Sequence, residues 1–259
     1  MATSSAGLPI PYAEIDTIFL DVGNTLISID FDWVAAELCT RGFACVADEL
    51  RRAEAAARPG YSHRLFVDRL PEGTDLFLTY LNAMLARLEV TGGLSSGELE
   101  ALVTELRPVL RPDGKASRLW KMVMPRIPGA LARLRDLGLT LVVVSNSDGT
   151  VEQSLEAAGL RSYFSVVVDS AIAGFEKPDP RIFLHALERA GATAERTLHI
   201  GDIYHADVLG ARGAGVHALL LDPYEDWSPD AISDVERLPD LWAVADRLTA
   251  ERRYSPQSR

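Results

Sequence analysis

Cysteine is almost absent: Cys39 and Cys45 are the only two in 259 residues. So few thiols exclude a disulfide framework, and on a chain without an export signal they are expected to stay reduced. A basic surplus is missing too. The net charge of -11 excludes a general attraction to nucleic acid or anionic membrane, so a basic groove would have to be local. No apolar run approaches the length that spans a bilayer. The opening residues, "MATSSAGLPIPY", lack a basic start and an apolar stretch. They read as a short disordered lead rather than a signal peptide, and the cytoplasm is the expected compartment.

What is present is ordinary in amount and informative in order. Apolar residues make up 47% and charged residues 24%, as in globular proteins generally. The length suits one large domain or two small ones. Residues 11 to 26 and 125 to 222 share one texture: short β-branched runs alternating with amphipathic segments. The runs are "IDTIFLD", "LTLVVVSN", "SVVVDS", "TLHIGD" and "VHALLLD". Continuous apolar runs of this length suit parallel strands covered on both faces. Between them, Leu131, Leu134 and Leu137 recur at helical spacing before Gly138, and Pro180 opens a pattern carried by Phe183, Leu187 and Ala190 before Gly191. The alternation predicts an α/β fold, a doubly wound parallel sheet. In such sheets ligands sit beyond the carboxyl ends of the strands.

Residues 30 to 120 differ. They are rich in Ala, Leu, Arg and Glu and show helical spacing in "FDWVAAELCTRGF", "DELRRAEAAARPG", "DLFLTYLNAMLARLEV" and "SSGELEALVTELRPVL". This predicts an α-helical insert over 27–124, with "ISID" and "KMVMPRIPG" as hinges and an α/β core over 11–26 and 125–250. "RRAEAAAR" reads as a helix surface. A last helix is expected from about Pro239 to Arg252, and residues 1–10 and 253–259 are expected to be flexible termini.

Four polar groups punctuate the core pattern. "TIFLDVGNTL" ends an apolar run on Asp21 and turns through Gly23. "VVVSNS" ends on Ser145 and Asn146. "FEKPDP" carries Lys177, and "GDIYHAD" carries Asp202 and Asp207. Each alone has a plain reading: a turn cap for Asp21, an ordinary strand end for Ser145-Asn146, a surface lysine, a helix N-cap for the last motif. In this order the four motifs resemble those of the haloacid dehalogenase superfamily, and the resemblance covers nearly the whole chain, the insert standing where many members carry a helical cap.

The resemblance implies a Rossmann-like core with an inserted cap, and a hydrolase. It implies Asp21 as a nucleophile that forms an aspartyl-phosphate, Ser145 and the backbone N–H of Asn146 on the transferring group, and Lys177 as the positive charge beside both. It also implies Mg2+ held by Asp21, the backbone carbonyl of Gly23 and Asp202, with Asp207 in or behind that shell. The implied partner is a small phosphorylated substrate, with no nucleic acid and no membrane. Nothing in the pattern specifies an oligomeric state.

One position departs from the family's phosphatases. Two residues after the nucleophile they carry an aspartate that protonates the leaving oxygen and then activates water; here stands Gly23. Three consequences are open. A phosphatase could take its acid from Asp30 or Asp32, or act on substrates such as acyl phosphates that need none. A 2-haloacid dehalogenase needs no acid, because halide leaves unprotonated, but it has no use for the acidic pair at 202 and 207. A phosphonoacetaldehyde-type hydrolase needs a cap lysine, and none lies between Asp21 and Lys115. A catalytically weak, phosphate-binding regulatory protein is the reading from another class. The choice of substrate would rest with the insert. Trp33, Trp120, Arg41, Arg64, Arg69 and Arg118 there, and His205 in the core, have plainer readings as packing or surface groups.

Overall fold

The five apolar runs become strands of one parallel sheet in a computed structural model that describes residues 9–112, 119–228 and 232–254. In chain order the strands are β1 (Thr17–Leu20), β2 (Ile27–Ile29), β3 (Trp120–Val123), β4 (Thr140–Ser145), β5 (Val166–Asp169), β6 (Thr197–Gly201), β7 (His217–Leu221) and β8 (Glu236–Leu238). The main sheet has the order β5-β4-β1-β6-β7-β8, and its neighbours all run parallel. Every residue of β1 and β6 is buried.

Alternate residues of β1 serve opposite faces of the sheet. Ile18 and Leu20 join one apolar cluster with Leu131 and Leu134 of helix Ile127–Asp136 and with Val244 and Leu248 of helix Leu241–Tyr254. Phe19 joins another with Ile182, Phe183 and Ala186 of helix Pro180–Ala190. Two-sided cover is what a continuous apolar strand requires. Helix Pro180–Ala190 has the boundaries its sequence foretells. Asp179 accepts from the Arg181 N–H, Pro180 opens the first turn, and Gly191 closes it at φ 62°.

The strand order reverses at β1. β4 and β5 lie on one side of it, β6, β7 and β8 on the other. A crevice for ligand opens beyond the carboxyl ends at such a switch point. The residues ending β1, β4 and β6 are therefore the ones the fold offers to chemistry.

The chain divides into two units. One ends at Ser28, resumes over Val123–Pro223 and continues from Trp227; the other comprises Ile29–Met122 together with Tyr224–Asp226. The second unit holds helices Phe31–Cys39, Ala47–His63, Leu76–Leu85 and Ser96–Leu110. They pack around Val34, Leu38, Leu50, Leu81, Met84 and Leu106. Side-chain caps set the starts of three of them: Asp30 accepts from the Trp33 N–H at 3.0 Å and Asp75 from the Phe77 N–H at 2.9 Å, while Ser95 and Glu98 form a capping box.

Several local expectations need correction. The hinge segments supply β2 and β3, a two-stranded sheet. A further strand, β8, precedes the last helix, which starts at Leu241 and runs to Tyr254. Helix Ala47–His63 continues through Pro59. "RRAEAAAR" is no mere surface: Glu54 and Arg58 are buried, with Arg58 Nη2 2.6 Å from Glu54 Oε2 and the Tyr80 hydroxyl 3.1 Å from Glu54 Oε1. Mutual pairing is what lets these charges go inside. Of the expected lead and tail (residues 1–10 and 253–259), residues 1–8 and 255–259 lie outside the described residues, as do Lys115 and Arg118.

Candidate active site

Asp21 stands one residue beyond β1. Its N–H donates to the Ile200 carbonyl at 3.0 Å, so the β1–β6 ladder holds its backbone one position past the strand. The chain then turns: the Val22 carbonyl accepts from the N–H groups of Leu26 and Ile27, both at 2.9 Å. Asn24 takes the left-handed conformation of this turn at φ 49°, and Gly23 is not among the glycines with positive φ.

Lys177 is one of three lysines in the chain, and its side chain is only 3% exposed. Its ammonium lies 2.6 Å from Asp21 Oδ1 and 2.6 Å from Asp207 Oδ1. Burial alone would push this lysine toward neutrality, but Asp207 and then Asp21 outweigh burial and hold the ammonium charged above the usual lysine range. Burial pushes the Asp21 carboxyl up from its ordinary value, with Lys177 opposing and Asp207 adding to the rise. For Asp207, burial is outweighed by Lys177 and His199, and the carboxyl is held well below the usual range.

Asp207 lies in the π-helical turn Tyr204–Leu209. Oδ1 also meets His199 Nε2 at 3.0 Å, and Oδ2 accepts from the Ile203 N–H at 2.9 Å. This crowding depends on Gly201: a Cβ there would lie 2.7 Å from the Asp207 Cβ and overlap its carboxyl group.

Asn146 follows β4 and grips the Lys177 backbone. Its Nδ2 donates to the Lys177 carbonyl at 2.9 Å, and the Lys177 N–H donates to its Oδ1 at 2.7 Å. The rest of this loop is held from β5. Asp169 accepts from the N–H groups of Gly149 at 3.1 Å and Val151 at 3.2 Å, while Ser170 Oγ accepts from Ser147 N–H at 3.0 Å. Ser145 is buried at the end of β4, and Asp202 is buried immediately after β6.

Hydrogen bonds thus join Asp21, Lys177, Asp207 and Asn146 into one connected set. Ser145 and Asp202 flank it at the ends of the two strands that pair with β1. The family model of haloacid dehalogenase-like hydrolases matches residues 15–215.

The chain belongs to this family.

The haloacid dehalogenase-like hydrolase domain-containing protein 3 of Bos taurus is 37% identical over 142 residues, which are 54% of this chain and 56% of that protein. The match therefore spans little more than half of that relative's length. The pyrimidine 5'-nucleotidase YjjG of Escherichia coli is 26% identical over 227 residues, covering 84% of this chain and 91% of the other. Among solved structures, the HAD-hydrolase YfnB of Bacillus subtilis, bound to magnesium, superposes with a TM-score of 0.60 at 19% identity, over 90% of this chain and 98% of that one. This likeness concerns the fold: the six-stranded parallel sheet is the Rossmann-like sheet of HAD hydrolases.

The oxygen donors in this hydrolase fit Mg2+. Asp21 and Asp202 follow neighbouring parallel strands, and Gly23 stands in the turn just after Asp21. Over Asp21, Asp202, Asp207 and Lys177, negative charge exceeds positive by two when all are ionised, which suits a dication. Among the described residues no group of three or more His, Cys, Asp and Glu side chains is arranged for metal. A hard cation that keeps several waters needs only one or two carboxylates. Asp207, named with the metal ligands from sequence, has its oxygens engaged by Lys177, His199 and the Ile203 N–H.

Other sequence candidates have ordinary work. Asp30 caps its helix and lies 2.8 Å from Lys121. Burial raises its carboxyl, but Lys121 and the helix N–H groups together outweigh it and bring it below the usual range, which makes it a poor proton donor. Arg41 pairs with Glu37 at 2.9 Å, and Trp33 Nε1 donates to Glu37 at 3.3 Å. Arg64 and Arg69 are exposed, Trp120 packs 6.1 Å from the Tyr80 ring, and His205 meets the Tyr204 ring edge-on at 5.4 Å. Sequence reading missed His199, Gly201, Asp169 and Ser170. The small residue in "HIGD" was the one signal that could have pointed to a close approach at Gly201.

Proposed function

We propose that this HAD hydrolase is a Mg2+-dependent phosphatase acting on a small phosphorylated metabolite, with Asp21 as nucleophile. The observation that carries the reading is the buried ion pair at the end of β1, where Lys177 holds Asp21 Oδ1 at 2.6 Å. Among the described residues nothing else donates to the Asp21 carboxylate, so Oδ2 remains available as the attacking atom. That oxygen attacks phosphorus, the bond from phosphorus to the leaving oxygen breaks, and its electron pair departs with that oxygen. Water then attacks phosphorus and the aspartyl oxygen leaves, releasing inorganic phosphate and restoring Asp21. Lys177 offsets negative charge through both steps. Ser145 and the N–H of Asn146 bind the transferring group. Asp21, the Gly23 carbonyl and Asp202 would hold Mg2+, which when bound neutralises and orients the phosphoryl oxygens.

Position 23 supplies no acid, and Asp30 is kept ionised by Lys121. The leaving oxygen then departs without help from either, which favours substrates whose leaving group is already a stable anion, such as acyl phosphates. The similarity to a nucleotidase supports a phosphate monoester as the broader class. The helical second unit, in this reading, is a cap that selects the substrate. Gly23 also suits halide displacement from a 2-haloacid, but carboxylates at 202 and 207 oppose the anionic substrate and product of that reaction.

A screen of alkyl phosphates, acyl phosphates and chloroacetate, with and without Mg2+, tests the proposal. Mg2+-dependent phosphate release that disappears in Asp21→Asn is expected. Metal-independent chloride release without phosphatase activity would replace this reading with the dehalogenase, and phosphate binding without turnover would leave the regulatory protein.

A further inference from the structure

We infer that His199 is a positioning residue of this site, holding Asp207 and through it Lys177. The inference rests on the aspartate-nucleophile reading for its kinetic consequence, but not for its structural one.

His199 sits on β6 within the run "TLHIG" and is 0% exposed. Its ring meets Phe183 edge-on, with centroids 4.9 Å apart. One nitrogen, Nε2, lies 3.0 Å from Asp207 Oδ1; the other, Nδ1, is buried with no hydrogen-bond partner. A leucine would fill this apolar position without stranding a polar atom, so the imidazole is costly here. Its single return is the bond to Asp207.

That bond has a definite direction. Asp207 is ionised and can only accept, so Nε2 carries the hydrogen and Nδ1 carries the lone pair. Burial holds the ring below the usual histidine range despite Asp207, so it stays neutral. Asp207 Oδ1 thus takes the Lys177 ammonium and the His199 N–H together, while Ile203 fixes Oδ2. With three donors, the carboxylate cannot rotate, and the ammonium is aimed at Asp21. Removal of His199 frees a lone pair on Oδ1 and lets Asp207 draw Lys177 toward itself. A ring that served only as core filling would have no such effect on the lysine.

With three lysines in the chain, 15N NMR of lysine-labelled, chelator-treated protein can resolve the Lys177 ammonium, assigned by Lys115→Arg and Lys121→Arg. In His199→Leu its signal is expected to shift and to exchange faster with water. In His199→Gln, whose amide can still donate to Asp207, both are expected to return toward wild type. In parallel, kcat for a phosphate ester should fall about tenfold in the leucine variant with KM little changed, and recover in the glutamine variant. An unaltered Lys177 signal in folded His199→Leu overturns the inference. So does an Nδ1–H tautomer of His199 in 15N spectra of the wild-type protein, a measurement that needs no variant to fold. If the wild type hydrolyses no phosphate ester, the function proposed above fails, while the two NMR measurements still decide this one.

Discussion

Asn146 and Lys177, 31 positions apart, exchange two hydrogen bonds through the amide of one and the backbone of the other, at 2.9 and 2.7 Å. The side chain after β4 therefore acts on the lysine loop. Asn146→Ala should free the loop that carries Lys177. Two partly exposed bonds are worth about 1–2 kcal/mol together, and for a chain of this size that lowers Tm by roughly 2–8 °C. Misplacement of the ammonium should cost kcat about tenfold or more. Thermal melts and kinetics on one preparation check both, and unchanged kcat would show that Lys177 holds its place unaided.

Gly201→Ala tests the packing behind the site. The added methyl would overlap the Asp207 carboxyl group, and overpacking of this kind costs about 1–3 kcal/mol. Asp207 must move, and Lys177 with it. Activity is expected to fall far more than stability, by about a hundredfold. A variant with wild-type rates would show that Asp207 has room to spare.

Stability should report the neutral state of His199. Its folded value lies below the ordinary one, so below about pH 6.5 the unfolded chain binds a proton that the folded chain refuses. Its contribution is whole above about pH 6.5 and declines as pH falls toward the folded value, by up to about 1.4 kcal/mol per pH unit. Denaturant titrations between about pH 7.5 and 5.5 should show a steeper decline for wild type than for His199→Gln. Parallel curves would mean that the buried ring is protonated as readily as a free one.

The division between what the sequence disclosed and what it withheld follows from the range of the interactions. Asp21, Ser145 and Asp202 were legible because each closes a continuous apolar run, and such runs become buried parallel strands whose carboxyl ends gather at one edge. Lys177 was legible by its motif, but its burial was not, since that depends on two carboxylates from distant segments, one just past β1 and one in the turn Tyr204–Leu209. His199 reads as one more member of a strand, and only the π-helical turn at Tyr204–Leu209 brings Asp207 back to it. The same holds for Asn146, whose partner is set by the crossover from β5. Short strands such as β2, β3 and β8 carry too few residues for a period. Glu54 and Arg58 looked like surface charges because the tyrosine that completes their network lies on another helix.

Gly23→Asp addresses the missing acid. Asn24, not Gly23, occupies the left-handed position of the turn, so the backbone admits a side chain at 23. A carboxyl group there should raise turnover of an alkyl phosphate by about tenfold or more, within the range of a positioned acid, which is about 1.4 kcal/mol or more off the barrier. An acyl phosphate should gain less, because its leaving group needs no proton. Equal effects on both substrates, in a folded and Mg2+-bound protein, would refute the missing-acid account.

The most direct measurement is chemical trapping of the enzyme during turnover. Protein mixed with acyl phosphate and Mg2+, quenched in acid and reduced with borohydride, converts an aspartyl-phosphate to homoserine, which peptide mapping locates. Homoserine at position 21 is expected, absent when Mg2+ is chelated and absent in Asp21→Asn. Hydrolysis that proceeds at full rate with no homoserine at position 21, or with the modification at another residue, would contradict Asp21 as the nucleophile.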